Sequence, residues 1–170
     1  MTGNVGDSAA GLQILLKGQP QGDLEKRLVK QHHRPRAHLK EGLWLGAQGG
    51  VRAMMDVSDG LATDLKRLCV SSSCGALVEL ELLPLSEDLR LFAKHEGVDG
   101  PRLGFAGGED YCLLLTVAAE EMASIGEEYR RVFGSELVAI GDITNQKGLV
   151  QVLQGGKPLE AGAAGFRHFS

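Results

Sequence analysis

The sequence is poor in aromatic residues and cysteine, and it has no long apolar run. Phe, Trp and Tyr make up 5% of the 170 residues, so we do not expect a surface on which nucleobases stack. Three cysteines are too few for a disulfide scaffold, and their odd number favours a reducing, cytoplasmic environment. No apolar run reaches the ~18 residues that a membrane span needs. The residues after Met1 also lack the basic and apolar stretches of a signal peptide.

An excess of positive charge is also missing. The chain has 18 Lys and Arg against 22 Asp and Glu, which gives a formal net charge of −4. Nucleic-acid binding requires clustered cationic side chains, so this balance argues against a nucleic-acid partner. Glycine, in contrast, is abundant: 24 of 170 residues, against a usual share of about 7%. The glycines lie between periodic segments, which indicates many tight turns and close backbone approaches.

Hydrophobic periodicity predicts a mixture of helices and strands. Helices are expected at residues 7–17, 24–33, 36–47, 61–70, 86–95 and 118–133, and strands at 51–55, 74–83, 110–117, 137–140 and 149–153. Asp23 is the expected cap of the second helix and Ser86 that of the fifth. The two types do not alternate regularly, which favours an α+β domain over a doubly wound one. The length suits a single domain over residues 1–170.

The strongest local motif is Asp56-Val57-Ser58-Asp59-Gly60, between a predicted strand and a predicted helix. In an extended segment Asp56 and Ser58 point to the same side. Two carboxylates this close repel each other, and a Mg²⁺ ion shared with phosphate would relieve that repulsion. Ser58 could then donate to a phosphate oxygen. The alternative is structural: Asp56 or Asp59 caps the helix and Gly60 makes a plain turn.

A second acidic motif is Gly107-Gly108-Glu109-Asp110, just before a predicted strand. Paired glycines allow a ligand to approach the backbone, and the two acids could bind a cation or a hydrogen-bond donor. A Gly-Gly hairpin with solvated acids explains the motif equally well.

A third motif, residues 3–12, is a glycine loop that opens a helix. It lacks the lysine of a phosphate-binding P-loop, and a helix capped by Asp7 or Ser8 is the simpler interpretation. No nucleophile motif such as Gly-x-Ser-x-Gly occurs, so no catalytic residue is assigned.

Taken in order, the segments resemble the C-terminal half of the thiamine-monophosphate kinase family over nearly the whole chain. The segments that carry the resemblance are Thr2-Gly3, Gly6–Leu12, His33–Pro35, Met55–Leu61, Gly107–Tyr111, Ile140–Thr144 and Gly165–Phe169. The related aminoimidazole ribonucleotide synthetases and selenophosphate synthetases share the architecture but fit these motifs less well. The resemblance implies a mixed β-sheet covered by helices.

The resemblance also implies an activity: ATP- and Mg²⁺-dependent transfer of phosphate to thiamine monophosphate, which gives thiamine diphosphate. By matching positions, Asp56 and Asp59 are expected to be Mg²⁺ ligands and Ser58 to contact an ATP phosphate. Glu109 and Phe166 are expected to bind the substrate. Phosphoryl transfer between two anions depends on positioning and charge neutralisation, which carboxylate-held metal ions supply.

In that family an N-terminal domain of similar size precedes this part and carries most metal-binding aspartates and much of the ATP pocket. We therefore expect that domain as a partner, a homodimer at full length, and no turnover by this chain alone. Two other hypotheses remain open. One is a non-catalytic module that binds a metabolite or nucleotide, or pairs with a partner domain. The other is a sister enzyme that uses ATP on a different acceptor.

Overall fold

A computed structural model describes residues 1–159 of the chain. The helices in this part are α1 Asp7–Lys17, α2 Gly22–His33, α3 Leu39–Gly46, α4 Leu61–Ser71, α5 Glu87–Glu96, α6 Gly100–Ala106 and α7 Met122–Phe133. The strands are β1 Val51–Asp56, β2 Gly75–Glu79, β3 Leu113–Val117, β4 Gly141–Thr144, β5 Val150–Gln154 and β6 Lys157–Pro158. Short 3₁₀ turns occupy Leu80–Leu82 and Ala119–Glu121.

The strands form two sheets. In one, β1 and β3 pair antiparallel, with Asp56 opposite Leu113 at the end of the ladder. The other has the order β4-β2-β5-β6, in which β2 is antiparallel to β4 and parallel to β5. Helices pack against these strands and against one another, so the predicted α+β class is confirmed.

Three predicted strands differ from the structure by more than one residue at an end. The strand expected at 74–83 ends at Glu79 and turns into the 3₁₀ segment. The strand expected from residue 110 begins only at Leu113. The prediction of a strand at 137–140 is wrong, because the strand follows it at Gly141–Thr144. Residues 137–140 are nevertheless tied to neighbouring backbone, since the amide of Val138 donates to the carbonyl of Met1 at 2.9 Å.

One prediction of a helix cap is correct and two are wrong. Ser86 caps α5, because its Oγ accepts from the amide of Leu89 at 3.0 Å. Neither Asp7 nor Ser8 caps α1, which begins after Gly6, a residue with a φ of 90°. The expected cap of α2 at Asp23 is also wrong, because that helix already begins at Gly22.

Two apolar cores hold these elements together. The larger joins α1, α2, α4 and α5 to both sheets through fully buried side chains such as Val57, Leu61 and Leu89. The smaller lies between α3 and α7 around Leu45 and Tyr129. Within residues 1–159, no helix has the length and apolar character to cross a membrane.

Candidate functional site

The two acidic motifs of the sequence lie side by side in the structure. Val57 and Tyr111 are joined by a backbone hydrogen bond of 2.9 Å, donated by the amide of Tyr111. The amide of Val57 donates to the carbonyl of Cys112 at 2.9 Å, and the amide of Glu109 donates to the carbonyl of Ser58 at 2.8 Å. These three bonds extend the β1–β3 pairing into the loops, which we name the Asp-Ser-Asp loop (residues 56–60) and the Gly-Glu-Asp loop (residues 107–112).

Glycine makes this close approach possible. A Cβ atom on Gly108 would lie 2.7 Å from the carbonyl oxygen of Ser58. Gly60 has a φ of 99°, and a Cβ there would lie 2.8 Å from the carbonyl oxygen of Ala106. The Gly107-Gly108 pair is therefore not a hairpin turn but the place where one loop's backbone rests on the other.

The Gly-Glu-Asp loop is also conformationally unusual. Glu109 and Tyr111 have φ angles of 66° and 51°, in the left-handed region that residues with a side chain seldom adopt. Such conformations persist where surrounding contacts impose them, and they concentrate at functional sites. Here the hydrogen bonds to the Asp-Ser-Asp loop supply those contacts.

A buried aspartate that is not part of either motif organises the Asp-Ser-Asp loop. Asp64, in the first turn of α4, is fully buried. Its Oδ2 accepts from the amides of Ser58 and Asp59, each at 2.9 Å. Its Oδ1 accepts from Nη1 of Arg67 at 2.9 Å. The same Nη1 of Arg67 also donates to Oδ2 of Asp59.

The Gly-Glu-Asp loop is tied instead to the first helix. Oδ2 of Asp110 accepts from the amide of Gly6 at 2.8 Å, and Oδ1 accepts more weakly from the amide of Ser8 at 3.4 Å. Asp110 therefore caps α1 from a distant part of the chain. Burial raises the pKa of Asp110 to about 7, although these two hydrogen bonds act in the opposite direction. Asp7 adds to the increase because its negative charge lies nearby.

A cleft of about 190 Å³ opens between these groups and the segment that precedes α3. Its polar lining includes Asp7, Glu109, Asp110, Arg36 and His38. The cleft therefore offers carboxylates to a cationic ligand, and its lining also includes the guanidinium of Arg36 and the imidazole of His38.

The side chains around the cleft are themselves supported. Burial raises the pKa of Asp7, whereas the hydroxyl of Ser86, which donates to Asp7, lowers it. Oγ of Ser8 lies 3.0 Å from Nδ1 of His32, so that histidine belongs to the packing of α2 on α1. Burial lowers the pKa of His38, and within residues 1–159 its Nδ1 has no hydrogen-bond partner.

The structure brings four of the five predicted site residues to one region. Asp56 and Glu109 are exposed, and Ser58 and Asp59 are partly exposed. Val57, between them, is fully buried, as expected if Asp56 and Ser58 point outward. Phe166 lies outside the described residues.

The predicted metal ligands, Asp56 and Asp59, have the side-chain chemistry of a partial Mg²⁺ site. Carboxylate oxygens are the ligands that Mg²⁺ prefers, and proteins commonly hold it through one or two carboxylates together with water and substrate phosphates. Asp56 and Asp59 fit that pattern, although Asp59 is paired with Arg67. In the described part of the chain, no three His, Cys, Asp or Glu side chains form a group able to hold a metal ion.

Sequence reasoning missed Asp64, Arg67 and the structural role of Asp110. One signal for Asp64 was present: it occupies the apolar stripe of α4 together with Leu61, Leu65 and Leu68, where a carboxylate must be paired. Nothing in the sequence indicated that Gly6 would be the partner of Asp110, because the two residues are 104 positions apart.

The thiols of Cys69 and Cys112 are buried. Burial raises the pKa of Cys69 to about 11 and that of Cys112 to about 12. Both thiols are therefore protonated near neutral pH, which suits packing and not nucleophilic or metal-binding chemistry.

Comparisons with known proteins show what the chain is similar to. Residues 1–153 match the family model described as AIR synthase related protein, C-terminal domain. The thiamine-monophosphate kinase of Escherichia coli K12 is 32% identical over 172 aligned residues, which cover 100% of this chain and 51% of that protein. The chain thus spans about half the length of the curated relatives it matches.

Solved structures give the same result. A structure described as AaThiL complexed with AMPPCP and TMP superposes with a TM-score of 0.78 at 31% identity, covering 99% of this chain and 50% of that one. The thiamine-monophosphate kinase of Stenotrophomonas maltophilia K279a also gives a TM-score of 0.78, at 28% identity, covering 92% of this chain and 49% of its own.

Proposed function

This chain belongs to the AIR synthase related protein family, and from that premise we propose that it is the C-terminal part of a thiamine-monophosphate kinase. The reaction would be the ATP- and Mg²⁺-dependent phosphorylation of thiamine monophosphate to thiamine diphosphate. The observation that carries the proposal is the direct contact between the two acidic loops, which brings the predicted metal ligands and the predicted substrate residue to one surface.

The chemistry of this transfer explains why two acidic loops should meet. Both reacting groups are phosphates, so the reaction brings two anions together, and its barrier falls when their charge is neutralised and their positions are fixed. When bound, Mg²⁺ supplies that neutralisation. The role of this chain is to place carboxylates where the ion and the cationic ring of the substrate can both be held.

We assign Asp56 and Asp59 to the metal and Ser58 to a phosphate of ATP. Asp56 ends a strand and is exposed, and Asp59 lies two residues beyond the buried Val57. The hydrogen bonds that the amides of Ser58 and Asp59 donate to Asp64 hold the backbone of this loop. Such support reduces the motion that binding must suppress, which favours affinity.

We assign Glu109 to thiamine monophosphate, because its carboxylate is exposed at the mouth of the polar cleft and suits a cationic ring. Phe166 remains a second predicted substrate contact. The relative that was solved with AMPPCP and TMP supports the same pair of ligand classes.

The half of the relatives that this chain does not match would supply the remaining ligands and the rest of the ATP pocket. We therefore propose that this chain by itself does not turn over. The test compares the chain alone with the same chain joined to the N-terminal half of the Escherichia coli relative. ADP formation is measured with ATP, Mg²⁺ and thiamine monophosphate.

We expect ADP formation from the joined protein only, and a loss of at least about 100-fold in the Asp59→Asn variant. The matched control is Asp99→Asn, because Asp99 caps α6 through the amide of Arg102 and lies outside both loops. If the joined protein phosphorylates another acceptor but not thiamine monophosphate, the substrate assignment is wrong. Near-normal turnover by the chain alone would show that the ligands have been misplaced.

A further inference from the structure

We propose that Arg67 is an exchangeable counter-cation of the Asp-Ser-Asp loop. Without a divalent ion its guanidinium neutralises Asp59, and when the ion binds it releases Asp59 while remaining attached to Asp64. This inference rests on the proposed function, because it assumes that Asp59 is a metal ligand.

The geometry gives Arg67 two partners of different character. Its Nη1 donates to Oδ2 of Asp59 and to Oδ1 of Asp64. The side chain of Asp59 is 41% exposed, whereas that of Asp64 is fully buried. One nitrogen therefore donates both to a solvent-accessible carboxylate and to a carboxylate that is buried from solvent.

The two contacts differ in how easily they break. An ion pair between exposed groups contributes little net stability, because water and salt compete for both partners. A buried carboxylate that loses its cationic partner is strongly destabilised, because its charge is left uncompensated. When a divalent ion approaches, the Asp59 contact should therefore break and the Asp64 contact should persist.

The exchange has a consequence for the ion and for its phosphate ligands. A carboxylate already paired with a guanidinium attracts a cation less strongly, so Arg67 should weaken metal binding. After the exchange, the guanidinium remains beside the loop with free N–H groups, which are well suited to phosphate oxygens. Arg67 is thus a positioning residue that lowers affinity for the bare ion and keeps a cation next to the nucleotide.

The test is a Mn²⁺ titration of the chain joined to the N-terminal half of the Escherichia coli relative, with free Mn²⁺ measured by electron paramagnetic resonance. It compares wild type with Arg67→Gln, Arg67→Lys and Asp59→Asn. The matched control is Arg130→Gln, because Arg130 forms an exposed ion pair with Glu136 away from both loops. Circular dichroism verifies that each variant is folded.

We expect Arg67→Gln to bind Mn²⁺ about twofold to fivefold more tightly than wild type, the range that release of an exposed ion pair allows. Arg130→Gln should equal wild type. A merely structural Arg67 would give the opposite sign, because loosening the loop weakens binding. If Arg67→Gln does not fold, Arg67→Lys decides, since a lysine cannot serve both carboxylates as well and should still tighten binding.

Equal or weaker binding in the folded Arg67 variants overturns the inference alone, provided that Asp59→Asn weakens binding. If Asp59→Asn binds Mn²⁺ as well as wild type does, or if wild type binds none, the metal assignment fails and the inference fails with it.

Discussion

The Asp-Ser-Asp loop and the Gly-Glu-Asp loop are each held by one inward-facing carboxylate, but the two carboxylates are stabilised differently. Asp64 is paired with a guanidinium and with two backbone amides. Among residues 1–159, Asp110 accepts hydrogen bonds only from backbone amides, and it lies near a second acid, Asp7. The conformation of the Gly-Glu-Asp loop should therefore depend on whether Asp110 is protonated.

The comparison also separates structural acids from acids that are available to ligands. Asp64 and Asp110 face inward and fix the backbone, while Asp56, Asp59 and Glu109 face outward on the loops so fixed. In each loop, a less accessible carboxylate fixes the backbone that carries the accessible carboxylates.

The largest effect should come from Asp64→Ala. The substitution leaves two loop amides without an acceptor and deprives Arg67 of its buried partner. A buried hydrogen-bond donor left without an acceptor costs about 1–3 kcal/mol, whereas the freed Arg67 can be solvated because it is 54% exposed. With two donors affected, we expect a decrease of about 3 kcal/mol in the free energy of unfolding, measured by urea denaturation. The control is Asp23→Ala, because the side chain of Asp23 is 90% exposed. A similar small change in both variants would show that Asp64 does not hold the loop.

A smaller, pH-dependent effect is expected at Asp110. Because its pKa is raised from 3.8 to about 7 in the folded chain, the folded state binds the proton more tightly than the unfolded state does. This contribution to stability is complete below about pH 4 and is lost as the pH rises to about 7. We expect a loss of roughly 2 kcal/mol between those limits, less than the full shift implies because the residue is only partly buried.

The measurement compares the free energy of unfolding of wild type and Asp110→Asn at several pH values from 4 to 8. Asparagine cannot lose a proton in this range, so the difference between the two proteins isolates this carboxyl. Wild type should lose stability relative to the variant as the pH rises. Parallel pH profiles would show that Asp110 is not coupled to folding.

Local patterns in the sequence predicted most of the described helices but missed α6, and they predicted the partners of buried acids poorly. The apolar period predicted α1 with its observed bounds, and the Ser86 cap is correct because a cap is a local contact. Strand ends were less predictable: the ladder of β2 stops at Glu79, where its partner strands end, although the apolar alternation continues.

The candidate site shows the same limit. The acidic motifs pointed to the correct loops, but nothing in their composition showed that Glu109 would donate to Ser58, or that Asp110 would cap a helix more than 100 positions away. Those contacts depend on how β1 and β3 pair, which is a property of the folded chain.

An effect of similar size is expected at Gly108, where the two loops touch. A Cβ on Gly108 would meet the backbone of Ser58, which cannot move aside like a flexible side chain. We expect Gly108→Ala to cost about 1–3 kcal/mol, as overpacking commonly does, and to weaken ligand binding at both loops. Gly126→Ala is the control, since nothing lies within 4 Å of a Cβ at that position in α7. That change should stabilise the helix by about 0.5–1 kcal/mol.

The assignment of Asp56 and Asp59 to the metal ion is tested most directly by nuclear magnetic resonance, through a map of the Mn²⁺-induced broadening of backbone amide signals. If Asp56 and Asp59 hold the ion, broadening should be strongest at residues 56–60 and extend to residues 107–110, and Asp59→Asn should reduce it. Broadening centred instead on another acidic surface, such as Glu121 just before α7 and Glu128 on that helix, would contradict the assignment.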